Sequence, residues 1–155
     1  MGAHMDMSRA RGPRLARRGG TMPPRGCPLT LWRTRAPSEI AKSDVTALAG
    51  AVAATAILHE RRWPAARAGD PAAAAAVAID RIRHHGPEGP LADLVMGNLL
   101  VLAHRDGDPT AGVVLSHALR ALSRSRPGHG ELARIARAWT ARSGRAARPR
   151  RGRRA

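Results

Sequence analysis

The positive charge of this chain is concentrated at its two ends, and this limits which part of it can fold. Residues 1–37 contain eight arginines and one acid, and residues 142–155 contain seven arginines and no acid. The middle, residues 38–141, has 12 basic and 10 acidic residues. Because highly charged segments with few apolar residues cannot bury enough surface to fold, the sequence predicts one domain over 38–141 between two disordered Arg-rich tails.

The basic residues are almost all arginine, since 26 of 27 are arginine and only Lys42 is not. A GC-rich genome over-produces Ala, Arg, Gly and Pro, which is an alternative explanation for part of the excess. Such a bias would affect tails and centre alike, so the uneven distribution favours a function. A pI near 12 favours polyanionic partners, namely nucleic acid, anionic lipid or an acidic protein face.

The N-terminal tail, residues 1–37, has several open interpretations. Residues 1–5 resemble cloning-vector residues and carry no argument. The remainder is native disordered tail, an Arg-rich targeting segment, or upstream sequence preceding a true start at Met22; the first is preferred. Its only apolar run, Leu29 to Trp32, either docks on the domain through Trp32 or makes no contact.

The cysteine content and the length of the apolar runs bear on the cellular location of the protein and on whether it crosses a membrane. The single cysteine, Cys27, excludes an intrachain disulfide. No run approaches the roughly 18 consecutive apolar residues of a membrane span. We therefore expect a cytoplasmic protein without an integral membrane segment.

Apolar spacing and start signals predict an all-α fold, a small bundle of four to five short helices. The centre has 25 alanines, and the chain has no Phe or Tyr, a composition that suits closely packed helices. The first helix is expected to begin near Ser38 or Ser43 and to end before Pro64. Its inward positions are Val45, Leu48, Val52 and Ala56, with Ile57 beside them.

The later helices have clearer limits. Asp70-Pro71 and Asp108-Pro109 are start signals, because aspartate caps a helix and proline fits its first position. Pro90 begins the helix between them, and Pro127-Gly128 separates the last two. In the last helix, the spacing places Leu132, Ile135, Ala136 and Trp139 inward and Arg134 and Arg137 outward.

Two patterns have a simple and a more specific interpretation. Gly-Asp-Pro recurs at 69 and 107, which suits a helix-pair repeat, but two copies are fewer than such arrays need; reuse of a common cap is preferred. The pair of helices between Leu91 and Leu122 has the outline of a helix-turn-helix that exposes Arg120, Arg124 and Arg126. The segment 110–114 looks buried where a recognition helix needs polar residues, so an ordinary helical hairpin is favoured.

Metal and catalytic signatures are absent from the sequence. The seven histidines show no His-x-x-x-His, His-Glu-x-x-His or Cys-x-x-Cys spacing. Ser116 and His117 are adjacent, which separates their side chains on a helix and prevents mutual activation. We predict a non-enzymatic protein with no catalytic residue, metal or cofactor.

Asn98 and Asp93 are polar residues in the most apolar predicted helix. Asn98 falls in register with inward-facing leucines. It is therefore either a buried residue that fixes packing or an oligomer contact, or a rim residue bonded to water.

The leading functional prediction is non-specific nucleic-acid binding through the Arg-rich tails. Guanidinium groups release counterions from phosphates and make forked contacts to their oxygens, without reading bases. The expected contacts are Arg134, Arg137, Arg142, Arg145, Arg148, Arg150, Arg151, Arg153 and Arg154. The alternatives are a protein–protein adaptor, self-associating through an apolar face around Leu99 and Val101, and peripheral binding to an anionic membrane.

Overall fold

The computed structural model describes residues 26–125 and 130–147, and this part of the chain contains seven α-helices and no strand. A 3₁₀ turn, Pro28–Thr30, precedes the first helix, and a second, Pro37–Glu39, follows it. The helices are α1 (Leu31–Thr34), α2 (Lys42–Ala53), α3 (Trp63–Arg67), α4 (Pro71–His85), α5 (Pro90–Arg105), α6 (Pro109–Ser125) and α7 (Gly130–Ala146). The all-α prediction is confirmed, but the described residues form seven helices instead of four or five.

Both predicted Asp-Pro starts act as helix caps. The Asp70 carboxylate accepts hydrogen bonds from the first free backbone N–H groups of α4, at 2.9 and 3.1 Å. Asp108 does the same for α6, at 2.7 and 3.3 Å. Each cap satisfies donors that have no partner within the helix. Helix α4 ends at Gly86, whose φ of +74° suits glycine.

The single helix predicted to run as far as Pro64 is instead two helices. Helix α2 ends at Ala53, and α3 begins at Trp63. In the loop between them, the Thr55 carbonyl accepts a hydrogen bond from the Trp63 indole N–H at 2.8 Å. Val45, Leu48 and Val52 are buried as predicted, whereas Ala56, which belongs to the loop, is exposed.

The N-terminal segment is folded from Pro28 onward. Trp32 is 0% exposed, and its indole N–H donates to the Asp93 carboxylate at 2.9 Å. Arg33 adds two hydrogen bonds to the same carboxylate, at 2.7 and 2.9 Å. The prediction of a disordered tail through residue 37 is therefore wrong for residues 28–37, which dock through Trp32 as the alternative interpretation proposed. Residues 1–25 lie outside the described residues.

Helix α5 is the centre of the domain. Every residue from Ala92 to Ala103 is buried, and the helix packs against α2, α4 and α6. Asn98 is buried, and its side-chain N–H₂ donates to the carbonyl of Ala66 at 3.0 Å, joining α5 to α3. Asn98 is thus a packing residue within the domain. Leu99 and Val101 are core residues, 0% and 8% exposed, so the apolar face suggested for an adaptor is not a surface.

No helix in the described ranges combines the length and apolar character needed to cross a membrane.

Candidate nucleic-acid interface

Helices α6 and α7 form an antiparallel hairpin at one side of the domain. The Ser116 and Thr140 hydroxyls are 2.7 Å apart, and Arg120 donates to the Thr140 hydroxyl at 3.1 Å. Nearer the start of α6, Gly112 lies against Ser143 and Trp139 of α7. Each helix turns its apolar side inward, so its polar side faces solvent.

A glycine makes the closest approach of the two helices possible. A Cβ atom on Gly112 would lie 2.1 Å from the Ser143 hydroxyl oxygen. Ser143 is itself buried and donates to the Trp139 carbonyl at 3.0 Å. The start of α6 therefore packs against α7, and Ala111 and Val114 are also buried. This burial supports an ordinary helical hairpin over a helix-turn-helix.

The solvent side of α6 carries a stripe of exposed residues. Val113, His117, Arg120 and Arg124 are exposed and are spaced by three or four residues, so they lie along one line of the helix. Helix α6 contains no acidic residue. Its outer side is consequently cationic toward its C-terminal end.

The solvent side of α7 continues this charge. Arg134, Arg137 and Arg145 are exposed at positions that share one helix face, and Arg142 is half-buried beside it. From Pro109 to the end of the chain the sequence has twelve arginines and one acid, Glu131. We call Arg120, Arg124, Arg137, Arg142 and Arg145 the cationic face.

Arg134 differs from its neighbours because it has acidic partners. Its guanidinium contacts Glu131 at 2.5 Å and Glu39 at 3.2 Å. The hydrogen bond to Glu131 raises the pKa of Arg134, and the same contact lowers the pKa of Glu131. The pKa of Glu39 is lowered chiefly by a hydrogen bond from the backbone of Ala36, and then by Arg134. Arg134 therefore links α7 to Glu39 in the second 3₁₀ turn through an exposed ion pair.

The five arginines of the cationic face have no acidic partner in the described part of the chain. Arg120 bonds only a hydroxyl, and its guanidinium reaches from α6 to α7 beside Thr140. Thr140 lies one turn from Arg137. The contact of Arg120 with α7 therefore lies within one helical turn of Arg137.

The predicted contact residues are distributed over three environments. Arg137, Arg142 and Arg145 lie on the cationic face, whereas Arg134 is held in ion pairs. Arg148, Arg150, Arg151, Arg153 and Arg154 lie outside the described residues. The prediction of a disordered C-terminal tail starting at residue 142 is wrong for residues 142–146, because α7 extends to Ala146 and buries Ser143.

Arg120 and Arg124 are absent from the residues predicted as contacts of the tail. Their i, i+4 spacing in a helix without acidic residues indicates a cationic helix face. The sequence prediction includes these residues only as part of the less favoured helix-turn-helix. The antiparallel pairing with α7 places Arg120 against Thr140, one turn from Arg137. That pairing is a tertiary contact between residues about twenty positions apart.

Histidines do not form a metal site in the described ranges, where no three His, Cys, Asp or Glu side chains are grouped to hold an ion. His104 instead packs edge-on against Trp139, with ring centres 5.6 Å apart. Its pKa is lowered by burial and, secondarily, by the charge of Arg142.

No protein-family model, no curated protein and no solved structure matches this chain.

Proposed function

We propose that this protein binds nucleic acid without sequence preference, using the cationic face of the α6–α7 hairpin together with the arginines that follow it. The observation that carries the proposal is the run of arginines without acidic partners on one side of the hairpin, within the described residues. The C-terminal residues 148–155 add five more arginines directly after this helix. The function is binding and involves no catalysis.

The dimensions of the hairpin suit a polyphosphate. Arg137 and Arg145 are eight residues apart on α7, roughly 12 Å along the axis at 1.5 Å per residue. Duplex DNA carries about seven phosphate charges over that length. Arginine contacts to phosphate oxygens are charge-assisted and often bidentate, and they position a protein on the backbone without specifying a sequence.

The salt dependence of binding tests the proposal. A fluorescently labelled DNA duplex is titrated with the full-length protein at several salt concentrations, and binding is measured by anisotropy. The triple variant Arg124→Gln, Arg137→Gln and Arg145→Gln removes three charges from the cationic face. We expect weaker binding and a salt slope smaller by about 0.9 for each phosphate that the variant no longer neutralises.

A matched variant controls for net charge. Arg61, Arg83 and Arg105 are exposed, make no ion pair within the described residues and lie outside the hairpin, so their replacement by glutamine removes the same charge elsewhere. This control should keep nearly the original slope. If both triple variants lose affinity and slope equally, the α6–α7 face is not the binding surface.

The contribution of the C-terminal arginines is measured separately. Replacing Arg148, Arg150, Arg151, Arg153 and Arg154 by glutamine leaves α7 intact, whereas deletion from residue 142 would remove the buried Ser143. We expect a further reduction of the slope. Tight binding to vesicles containing anionic lipid, with no binding to the duplex, would contradict the proposal and favour the membrane alternative.

A further inference from the structure

A cavity of about 490 Å³ lies between α2 and the C-terminal end of α5, away from the α6 stripe. It falls in the size range of small-molecule sites, roughly 300 to 1,000 Å³. Its lining residues are Lys42, Val45, Thr46, Ala49, His104 and Arg105. The cavity therefore combines aliphatic side chains with basic groups.

The charge around this cavity is of one sign. No acidic side chain lines it, and neither Lys42 nor Arg105 makes an ion pair in the described part of the chain. Asp44, the acid on the first turn of α2, is occupied elsewhere, since it contacts Arg35 at 3.1 Å and accepts from the Ala41 N–H at 3.1 Å. Two cations at the cavity are consequently available to an anion.

The walls of the cavity indicate which groups would accompany an anionic group in a ligand. Val45, which is buried, and Ala49, which is half-buried, form the aliphatic part of the wall. The Thr46 hydroxyl donates to the Lys42 carbonyl at 3.0 Å, which leaves its oxygen able to accept but not to donate elsewhere. The apolar part of the wall therefore suits a hydrocarbon chain.

We propose that this cavity binds a small aliphatic carboxylate. Lys42 and Arg105 hold the carboxylate group, and Val45 and Ala49 contact the hydrocarbon chain. Arginine provides the forked donor geometry that matches a carboxylate, and lysine provides a second positive charge. The two cations of this site, Lys42 and Arg105, do not belong to the proposed nucleic-acid interface, although Arg142 of the cationic face acts electrostatically on His104 in the cavity wall.

Amide NMR shifts of the full-length protein test the proposal with three probes. Octanoate has both the head group and the chain, acetate has only the head group, and 1-octanol has the chain without the charge. We expect octanoate to shift the amides of Val45, Thr46, His104 and Arg105 and to bind more tightly than either of the other probes.

Two variants with equal charge loss test the role of the cations. The double variant Lys42→Gln with Arg105→Gln should weaken octanoate binding by about tenfold or more, the effect of losing a charge-assisted hydrogen bond. The control variant, Arg61→Gln with Arg83→Gln, should bind octanoate as the original protein does. A third variant, Ala49→Leu, narrows the cavity without changing charge and should also reduce binding. Circular dichroism checks that each variant is folded.

Several results would overturn the proposal. One is equal affinity for 1-octanol and octanoate, because Lys42 and Arg105 would then not contribute to recognition of the carboxylate group. Another is octanoate-induced shifts at Arg124, Arg137 and Arg145 instead of at the cavity. Equal weakening by the two double variants, or no shift at the cavity residues with millimolar octanoate, has the same consequence.

Discussion

Replacing Asp93 by alanine should undock the N-terminal segment from the domain. Asp93 is 8% exposed and is the shared acceptor for Trp32 and Arg33. Its removal leaves the buried indole N–H of Trp32 without a partner, at a cost of about 1 to 3 kcal/mol. The Arg33 side chain is 32% exposed and can turn to water, so the loss of its ion pair adds at most about 1 kcal/mol.

The expected loss of stability is therefore about 1 to 4 kcal/mol. Urea unfolding followed by circular dichroism should show a midpoint lower by about 0.5 to 2 M, for an m-value near 2 kcal/mol/M. Hydrogen exchange gives a local readout, since the Arg35 amide, which donates to the Leu31 carbonyl at 3.1 Å, should lose protection before the amides of α5.

Two comparisons make the result specific. Asp106→Ala removes an equal charge at the exposed end of the same helix and should change stability by less than about 0.5 kcal/mol. Trp32→Phe, which removes the N–H and also leaves a cavity at a fully buried position, should cost more in the original protein than after Asp93→Ala. If Asp93→Ala unfolds at the same urea concentration as Asp106→Ala, the Trp32–Asp93 contact does not hold the segment.

Three further predictions concern packing and ionisation. Because burial lowers the pKa of His104, the unfolded chain takes up that proton first, and stability should fall as the pH drops through roughly 6.5. His104→Gln should reduce this dependence, and a curve of stability against pH equal to that of the original protein would refute the assignment. Gly112→Ala should destabilise the protein by about 1 to 2 kcal/mol, because the new Cβ atom would lie 2.1 Å from the Ser143 hydroxyl oxygen. In the Ser143→Ala background the same substitution should be stabilising, because alanine favours a helix over glycine. Stabilisation in both backgrounds, measured by thermal unfolding, would contradict the close approach. Asn98→Ala should cost about 1 to 3 kcal/mol by removing the hydrogen bond to α3, and a variant that unfolds at the same temperature as the original would show that this bond contributes nothing.

Local signals were sufficient for the later helices. Asp70-Pro71 and Asp108-Pro109 cap α4 and α6 because a carboxylate and a proline act within one turn of their own position. The inward positions of α7, including Ile135 and Trp139, follow from the 3.6-residue period alone. In each case the cause and its effect lie within a few residues of each other.

The ends of the domain depended on distant contacts. Leu29 to Trp32 lies among arginines and prolines, and it folds through distant contacts: Leu31 and Trp32 are buried in the core, and Trp32 bonds Asp93, 61 positions away. The same holds for the assembly of the cationic face, since Arg120 and Arg137 become neighbours only when α6 and α7 pack.

What the sequence by itself determined is the helical class, the caps and periodicity of α4 to α7, and the concentration of arginine after Pro109. Only the tertiary structure decided where the domain begins, where α2 stops, and which arginines remain free of acidic partners among the described residues. The Ala-rich stretch after Val52 has a high helix propensity, yet α2 ends at Ala53, and the chain that follows packs with Trp63 buried and its indole N–H bonded to the Thr55 carbonyl. Propensity differs by tenths of a kcal/mol per residue, whereas burying a tryptophan and satisfying its N–H is worth several, so the packed core overrides the local preference.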